Sequence, residues 1–295
     1  MNKLIKSIKY HLFEPDLDSE SKVRFIHHKP KQGNIGDNLC SPKHYIDFST
    51  NKIINIIGGG VFNQLGLEQI NLYKLDPNRT ILWGAGQSIA NDNQPKKITH
   101  TLYPFWGVRD IDSVDDEHFL PCVSCMHPML NTPLHAQNTL LFLNFDKKIT
   151  QHSSLKSIQN LAKQYNHILL YNNCTEIEFQ EALSKSSHII TNSFHGAYWG
   201  LLSGRSVSLI GYSSKFYSLY RMFSLNTDLI LKSQRGNIDE LINKIHFAST
   251  NDQYVCANQP SEFRKKFIQR QLNFINNLKK SSLFEKIEIK TNMTQ

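Results

Sequence analysis

The feature that most constrains the fold is the alternation of short apolar runs with helix-like stretches along almost the whole chain. Stretches 153–165, 176–186 and 261–280 repeat apolar residues at the spacing of an amphipathic helix. Eight apolar runs have the length and composition of β-strands, at 23–28, 52–57, 80–84, 104–108, 138–145, 167–172, 188–193 and 206–212. The alternation predicts an α/β protein with parallel strands.

A proline-containing break near 128–137 separates the first four predicted strands from the last four. A chain of 295 residues is long enough for two domains of ordinary size. We therefore predict two doubly wound halves, 1–133 and 134–260, with a cleft between them. Residues 261–295 form a C-terminal helix and tail, and we expect the helix to pack back across the body.

The composition is that of a soluble globular protein, with 40% hydrophobic and 20% charged residues. No apolar run is long enough for a membrane span, and the first residues lack the apolar core of a signal peptide. Five scattered cysteines, an odd number, favour a reducing compartment. We therefore predict a cytoplasmic protein. Cys122 and Cys125 form a lone C-x-x-C pair, for which we expect buried thiols and no metal.

The net charge of +8 and the pI of about 9.1 favour an anionic partner. The basic residues form no zinc-finger or RNA-recognition pattern, so we expect no nucleic acid and favour a small phosphorylated substrate. Lysines at 3, 6 and 9 alternate with apolar residues. This N-terminal stretch predicts a basic amphipathic helix, which either packs on the protein or makes peripheral contact with the inner face of the cytoplasmic membrane.

Glycine-rich or charged segments recur just after the predicted strands. In open parallel sheets ligands bind beyond the carboxyl ends of the strands, so these segments are predicted to meet along one rim. Three residues of these segments have plain structural alternatives: a helix cap for Asp37, a solvated loop position for Lys215, and for His195 a histidine that caps a helix and is hydrogen-bonded in the core. The residues concerned are Gly36, Asp37, Asn38, Gly59, Gly60, Gly86, Gln87, Arg109, Asp110, Ser193, His195, Gly196 and Lys215.

The ordered motifs NIGDN, IIGGGVF, WGAGQS, VRDIDS, SFHG and GYSSK resemble those of the polysaccharide pyruvyltransferase family, over roughly residues 31–225. The resemblance implies two Rossmann-like halves with parallel sheets facing a cleft, similar to GT-B glycosyltransferases. It also implies transfer of the enolpyruvyl unit of phosphoenolpyruvate onto two sugar hydroxyls as a cyclic ketal, in surface-polysaccharide biosynthesis. Phosphoenolpyruvate is then the donor substrate, no cofactor is needed, and the saccharide acceptor is either free or lipid-linked.

Ketal formation needs a proton donor, a proton acceptor, and groups that hold a carboxylate and a phosphate. His195 is the predicted acid–base group because imidazole titrates near neutral pH. Arg109 is predicted to grip the donor with its forked guanidinium, held in place by Asp110, and Asp37 to deprotonate or orient the acceptor hydroxyl. We predict that Gly36, Asn38, Gly59, Gly60, Gly86, Gln87, Asp110, Ser193, Gly196 and Lys215 bind substrate.

Two other functions remain open at this point. A GT-B glycosyltransferase using a nucleotide-sugar would need a ribose-binding acidic pair in the second half, which Glu176, Glu178 and Glu181 match poorly. A non-catalytic carbohydrate-binding or assembly protein would keep the fold without the chemistry. The catalytic prediction requires that His195 and Arg109 point into one positively lined gap between the halves.

Overall fold

The computed structural model describes residues 16–18, 21–28, 32–61, 75–99, 101–134 and 137–291. In this part of the chain the fold is Rossmann-like α/β, with seven α-helices. One sheet contains four parallel strands and an antiparallel edge strand, and a second sheet contains five parallel strands. None of the helices in it combines the length and apolar character needed to cross a membrane. The predicted basic helix at the N-terminus lies outside the described residues.

The first sheet has the order β1-β2-β4-β5-β6, and only its edge strand β1 runs antiparallel. These strands are β1 (Asp16–Asp18), β2 (Val23–Ile26), β4 (Ile54–Gly58), β5 (Thr80–Ala85) and β6 (Phe105–Val108). A short helix, α1 (Ile35–Leu39), and strand β3 (Ile46–Ser49) lie between β2 and β4 in the chain. Every residue of β4 and β5 is buried, as expected for strands covered on both faces.

The second sheet is fully parallel and has the order β11-β10-β9-β7-β8. Its strands are β7 (Asn138–Leu143), β8 (Ile168–Tyr171), β9 (Ser186–Thr191), β10 (Ser206–Gly211) and β11 (Leu231–Lys232). The helices are α2 (His152–Gln164), α3 (Glu176–Ser184), α4 (Phe194–Leu202), α5 (Ser214–Met222) and α6 (Ile238–Thr250). The chain changes direction across the sheet between β7 and β9, the point where ligands bind in such folds.

A long C-terminal helix, α7 (Pro260–Lys279), crosses back onto the first half. Its buried Gln271 accepts a hydrogen bond from Nε1 of Trp83 on β5 (2.9 Å) and donates one to the carbonyl of Pro121 (2.7 Å). Strand β12 (Lys286–Ile289) follows and pairs antiparallel with β3. The C-terminal segment therefore completes the first half.

Arg205, just before β10, forms hydrogen bonds both with the segment that connects the two halves and with the second half. Its side chain is fully buried and donates all of its hydrogen bonds to backbone carbonyls. The acceptors are the carbonyls of Thr132, Pro133, Leu183, Ser186 and Ser203, at 2.7 to 3.3 Å. Leu183 and Ser186 are buried, so for their carbonyls the guanidinium replaces hydrogen bonds to water.

Replacing Arg205 with methionine should therefore lower the free energy of unfolding by about 3 kcal/mol or more, because buried carbonyls lose their only charged donor. The measurement is urea-induced unfolding followed by circular dichroism. Arg79→Met is the control: Arg79 is 48% exposed and pairs with Asp76 at the surface, so we expect a change within about 0.5 kcal/mol. Equal losses for the two variants would contradict this assignment.

Candidate functional site

A cavity of about 450 Å³ lies at the carboxyl ends of strands from both sheets. The first half lines it with residues of the segments after β2 and β5, and with α1. The second half lines it with residues after β7, β8, β9, β10 and β11. Side chains that define its walls are His28, Asp37, Ser88, Asn144, Asn172, Asn192 and Lys215. The cavity thus occupies the rim at which the sequence predicted a site.

His28 and Asp37 form a hydrogen-bonded pair on the wall of the cavity that belongs to the first half. Nδ1 of His28 lies 2.7 Å from Oδ2 of Asp37, and the side-chain amide of Asn34 donates to the same oxygen at 2.8 Å. Burial alone raises the pKa of Asp37, but the hydrogen bond with His28 and the positive charge of Lys215 contribute to lowering it overall. Asp37 is therefore an ionised carboxylate that orients the His28 ring.

Asn34, and not Asp37, caps helix α1. The side-chain oxygen of Asn34 accepts hydrogen bonds from the backbone N–H groups of Gly36 (3.0 Å) and Asp37 (3.3 Å). The plain alternative that Asp37 serves as the cap is therefore wrong. The Asp37 carboxylate instead forms a hydrogen bond with His28.

Lys215 brings a positive charge to the same cavity from the first turn of α5. Its Nζ lies over the rings of Tyr212 (5.3 Å to the centroid) and Phe216 (4.8 Å). No carboxylate within the described residues forms an ion pair with it. Its ammonium is therefore available to an anionic ligand, and the alternative of a solvated loop lysine is wrong.

The rest of the cavity adds to this positive charge. Lys148 and Arg235 line its outer end, and Nζ of Lys148 donates to the carbonyl of Gly236 at 2.8 Å. The described lining residues include three cationic side chains, Lys148, Lys215 and Arg235, and two carboxylates, Asp37 and Asp146. The cavity therefore carries an excess of positive charge.

Three asparagines join the ends of β7, β8 and β9 where the direction of the sheet changes. Nδ2 of Asn144 donates to the carbonyl of Asn192 (2.7 Å), and the side-chain oxygen of Asn192 accepts from the backbone N–H of Asn144 (2.8 Å). Nδ2 of Asn172 donates to the side-chain oxygen of Asn144 (3.1 Å). These bonds hold a polar wall of the cavity in one arrangement.

His195 lies outside the described lining of this cavity, in a buried layer next to it. Its ring is 5% exposed, its Nε2 lies 3.5 Å from Sγ of Cys122, and it packs against the ring of Trp199. It also touches α1 directly, since a Cβ placed on Gly36 would lie 2.2 Å from Nδ1 of His195. Gly36 is thus the residue that lets α1 and α4 approach.

The expectation that His195 titrates near neutral pH is wrong in this structure. Burial, together with the charges of Arg109 and Lys215, lowers the pKa of His195 to about 3 against the opposing effect of Asp37. The ring is therefore a neutral imidazole at neutral pH. Burial of the ring, which local sequence does not reveal, is the physical reason for the error.

Arg109 is the close neighbour of His195 that the sequence predicted, but it too is buried, at 1% exposure. Its Cζ lies 3.9 Å from the centroid of the Phe194 ring, and a Cβ on Gly86 would lie 2.3 Å from its Nε. Its Nε and Nη1 have no hydrogen-bond partner in the part of the chain that the structure describes. The structure therefore brings Arg109 and His195 together across the halves, but neither lines the described part of the cavity. The prediction that both side chains point into one positively lined gap is wrong.

Asp110 does not hold Arg109 in place as predicted, because no ion pair joins the two side chains. Oδ2 of Asp110 instead accepts a hydrogen bond from the backbone N–H of Gln87 at 2.5 Å. Burial raises the pKa of Asp110 to about 6, although Arg109 and the Gln87 hydrogen bond oppose the rise. The side chain of Gln87 is taken up by both backbone polar groups of Lys96, so it is a loop contact.

The other predicted binding residues have mostly structural contacts. Ser193 caps α4 by accepting from the N–H of Gly196, and Gly196 packs directly against Phe142 on β7. Gly59 packs in the same way against Cys40. The two that remain near the site are Gly60, which lies beside Asp37, and Asn38, which lines a separate hollow.

Sequence reasoning did not single out His28 as a site residue, although the signal was present. The predicted strand 23–28 included it, whereas β2 ends at Ile26. His28 therefore belongs to the segment after the strand, the same position that drew attention to the later motifs. Moving one strand boundary by two residues would have found it.

Comparison of the chain with protein-family models, with characterised proteins and with solved structures found no match. Within the described residues no group of three or more histidine, cysteine, aspartate or glutamate side chains is placed to hold a metal ion. The geometry of the cavity therefore carries the functional argument.

The neutral state of His195 gives a direct test. In the unfolded chain its pKa should lie near 6.5, and in the folded protein near 3. As the pH falls below 6.5 the unfolded state takes up a proton that the folded state does not, so His195 lowers stability progressively down to about pH 3.

Ring ¹⁵N spectra of the folded protein should show no His195 titration between pH 8 and 5, with assignment from His195→Gln. The chain in urea is the control, and a native midpoint near neutral pH would contradict the burial argument.

Proposed function

We propose that this protein is a pyruvyltransferase that moves the enolpyruvyl unit of phosphoenolpyruvate onto two hydroxyls of a sugar in surface-polysaccharide biosynthesis. The observation that carries the proposal is that the His28–Asp37 pair and Lys215, which forms no ion pair within the described residues, line one positively charged cavity. The two Rossmann-like halves that meet at this cavity also favour an arrangement of the GT-B type. The motif resemblance in residues 31–225 supports the same reaction.

The charges of the cavity suit the donor. Phosphoenolpyruvate carries a carboxylate and a phosphate on a three-carbon unit, and Lys215 offers a compact ammonium for one of these groups. Lys148 and Arg235 at the outer end add further attraction for an anion. A volume of about 450 Å³ leaves room for part of a sugar beside a molecule as small as phosphoenolpyruvate.

The His28–Asp37 pair supplies the proton transfer. In the proposed reaction His28 accepts the proton of the attacking hydroxyl, and the Asp37 carboxylate stabilises the imidazolium that forms. The methylene carbon of the donor gains a proton and becomes a methyl group, so that C2 becomes electrophilic. One hydroxyl oxygen bonds to C2, the bond from C2 to the phosphate oxygen breaks, and the second hydroxyl closes the ketal. The two hydroxyl protons end on the methyl group and on phosphate.

This assignment moves the acid–base role from His195 to His28, because His28 is 29% exposed in the cavity whereas His195 is a buried, neutral ring. Arg109 then acts on the site through its charge and its packing on Phe194. A nucleotide-sugar reaction is less well supported, since Glu176 pairs with His127 and Glu178 completes the cap of α3. Two of the three candidate ribose-binding residues therefore already have structural partners.

Binding of the donor is the first test. Phosphoenolpyruvate should bind the wild-type protein in isothermal titration calorimetry, and Lys215→Ala should weaken the binding about tenfold or more, the loss expected for one charge-assisted hydrogen bond. Lys147→Ala is the matched control, because Lys147 is exposed and is not among the lining residues. Binding of uridine diphosphate in place of phosphoenolpyruvate would favour the glycosyltransferase alternative and contradict the proposal.

Turnover is the second test. With phosphoenolpyruvate and an accepted sugar, His28→Gln should lower the rate of phosphate release by about 10²–10⁴-fold, the usual effect of losing an acid–base group, with donor affinity retained. His118→Gln is the control, because His118 and Asp115 form a similar pair at 2.7 Å on the surface. Mass spectrometry of the sugar should show the added pyruvate. A fully active His28→Gln enzyme would show that His28 is not the acid–base group. The acid–base role would then belong to His195 or to neither histidine.

A further inference from the structure

A second hollow, of about 430 Å³, adjoins the cavity and shares His28, Gly33 and Asn34 with it. Both halves contribute to its walls. Helix α1 of the first half supplies Ile35, Asn38 and Leu39, and the segment from the end of β8 to the start of α3 supplies Asn173, Cys174 and Glu176. The hollow is therefore a separate compartment that meets the cavity at His28.

We propose that this second hollow binds a neutral saccharide through the side-chain amides of Asn38 and Asn173. The two residues come from opposite halves, and both are exposed. Within the described residues neither side chain has a hydrogen-bond partner. Two amides with unused donors and acceptors thus line the same compartment.

The chemistry of an amide selects hydroxyls over anions. Each asparagine side chain offers two N–H donors and one acceptor oxygen, and each sugar hydroxyl both donates and accepts. Neighbouring hydroxyls of one sugar therefore satisfy both functions of an amide. A phosphate or carboxylate only accepts, and would leave the amide oxygens without a donor.

The charges of the second hollow agree with a neutral ligand. Lys43 and Glu176 contribute one charge of each sign among its described lining residues. The Glu176 carboxylate is already engaged, since Nε2 of His127 lies 3.1 Å from its Oε1. Nδ1 of His127 accepts from the backbone N–H of Met129, so the ring's hydrogen is on the nitrogen that faces Glu176. The excess positive charge of the cavity is thus absent from the second hollow.

The position of the second hollow makes the bound saccharide the acceptor, and this role rests on the proposed function. His28 borders both compartments. A sugar held by Asn38 and Asn173 presents its hydroxyls to His28 from one side, and a donor held by Lys215 presents its reacting carbon from the other. The second hollow is then the acceptor subsite, and the acceptor is recognised through a neutral sugar unit.

Saturation-transfer NMR with the methyl glycosides of galactose, glucose, N-acetylglucosamine and N-acetylmannosamine tests the inference without turnover. At least one glycoside should bind the wild-type protein and should remain bound at saturating phosphoenolpyruvate. The double variant Asn38→Ala, Asn173→Ala should weaken that binding about tenfold or more, as expected when neutral hydrogen bonds are removed from two side chains. Asn277→Ala, at an exposed position of α7 away from both compartments, should behave as wild type.

The outcomes separate this inference from the proposed function. Failure of all four glycosides to bind, unchanged binding in the double variant, or displacement by phosphoenolpyruvate would each overturn the second hollow as a saccharide site. Loss of phosphoenolpyruvate binding alone would overturn the donor proposal, because the glycoside arm does not use the donor. Calorimetry of the double variant with phosphoenolpyruvate should give the wild-type affinity, since neither asparagine lines the cavity.

Discussion

The direct contact between Gly36 and the ring of His195 is the interaction on which the geometry of the site depends. Helix α1 from the first half rests on α4 from the second half at this point, with no room for a side chain between them. The contact sets the position of Asp37, the next residue of α1, and therefore of the His28 ring that Asp37 orients. A backbone hydrogen bond from Ile35 to the carbonyl of Asn172 (2.7 Å) fixes the start of the same helix. His195 thus supports the site as a packed neutral ring.

Much of the fold follows from local sequence. All eight predicted strands and the three predicted helices are confirmed, because buried parallel strands are continuous apolar runs and amphipathic helices repeat at a fixed spacing. The elements outside these predicted stretches are mostly short; they are β1, β3, β11, β12, α1, α4, α5 and α6. Pairing between β3 and β12 joins segments far apart in the chain, so no local window contains its cause.

The sequence predicted the rim at which the cavity lies, but not which side chains line it. The rule that ligands bind beyond parallel strands located the rim, and it brought Asp37 and Lys215 into one cavity. It could not separate the residues that reach the cavity from those that pack behind it. His195 and Arg109 carry the reactive side chains of their motifs, yet the residues that bury them include Gly36 and Cys122 for His195 and Phe194 for Arg109, which are distant in sequence. Exposure is a tertiary property, and it decided which histidine lines the cavity.

The return of the C-terminal segment to the first half has a consequence for synthesis on the ribosome. The indole of Trp83 is covered by Phe274 and hydrogen-bonded to Gln271, and the ring of Phe48 packs on Phe284. The N-terminal half emerges first but lacks these covers until residues 271–284 have been made. Its nascent form therefore exposes aromatic surface throughout translation of the second half.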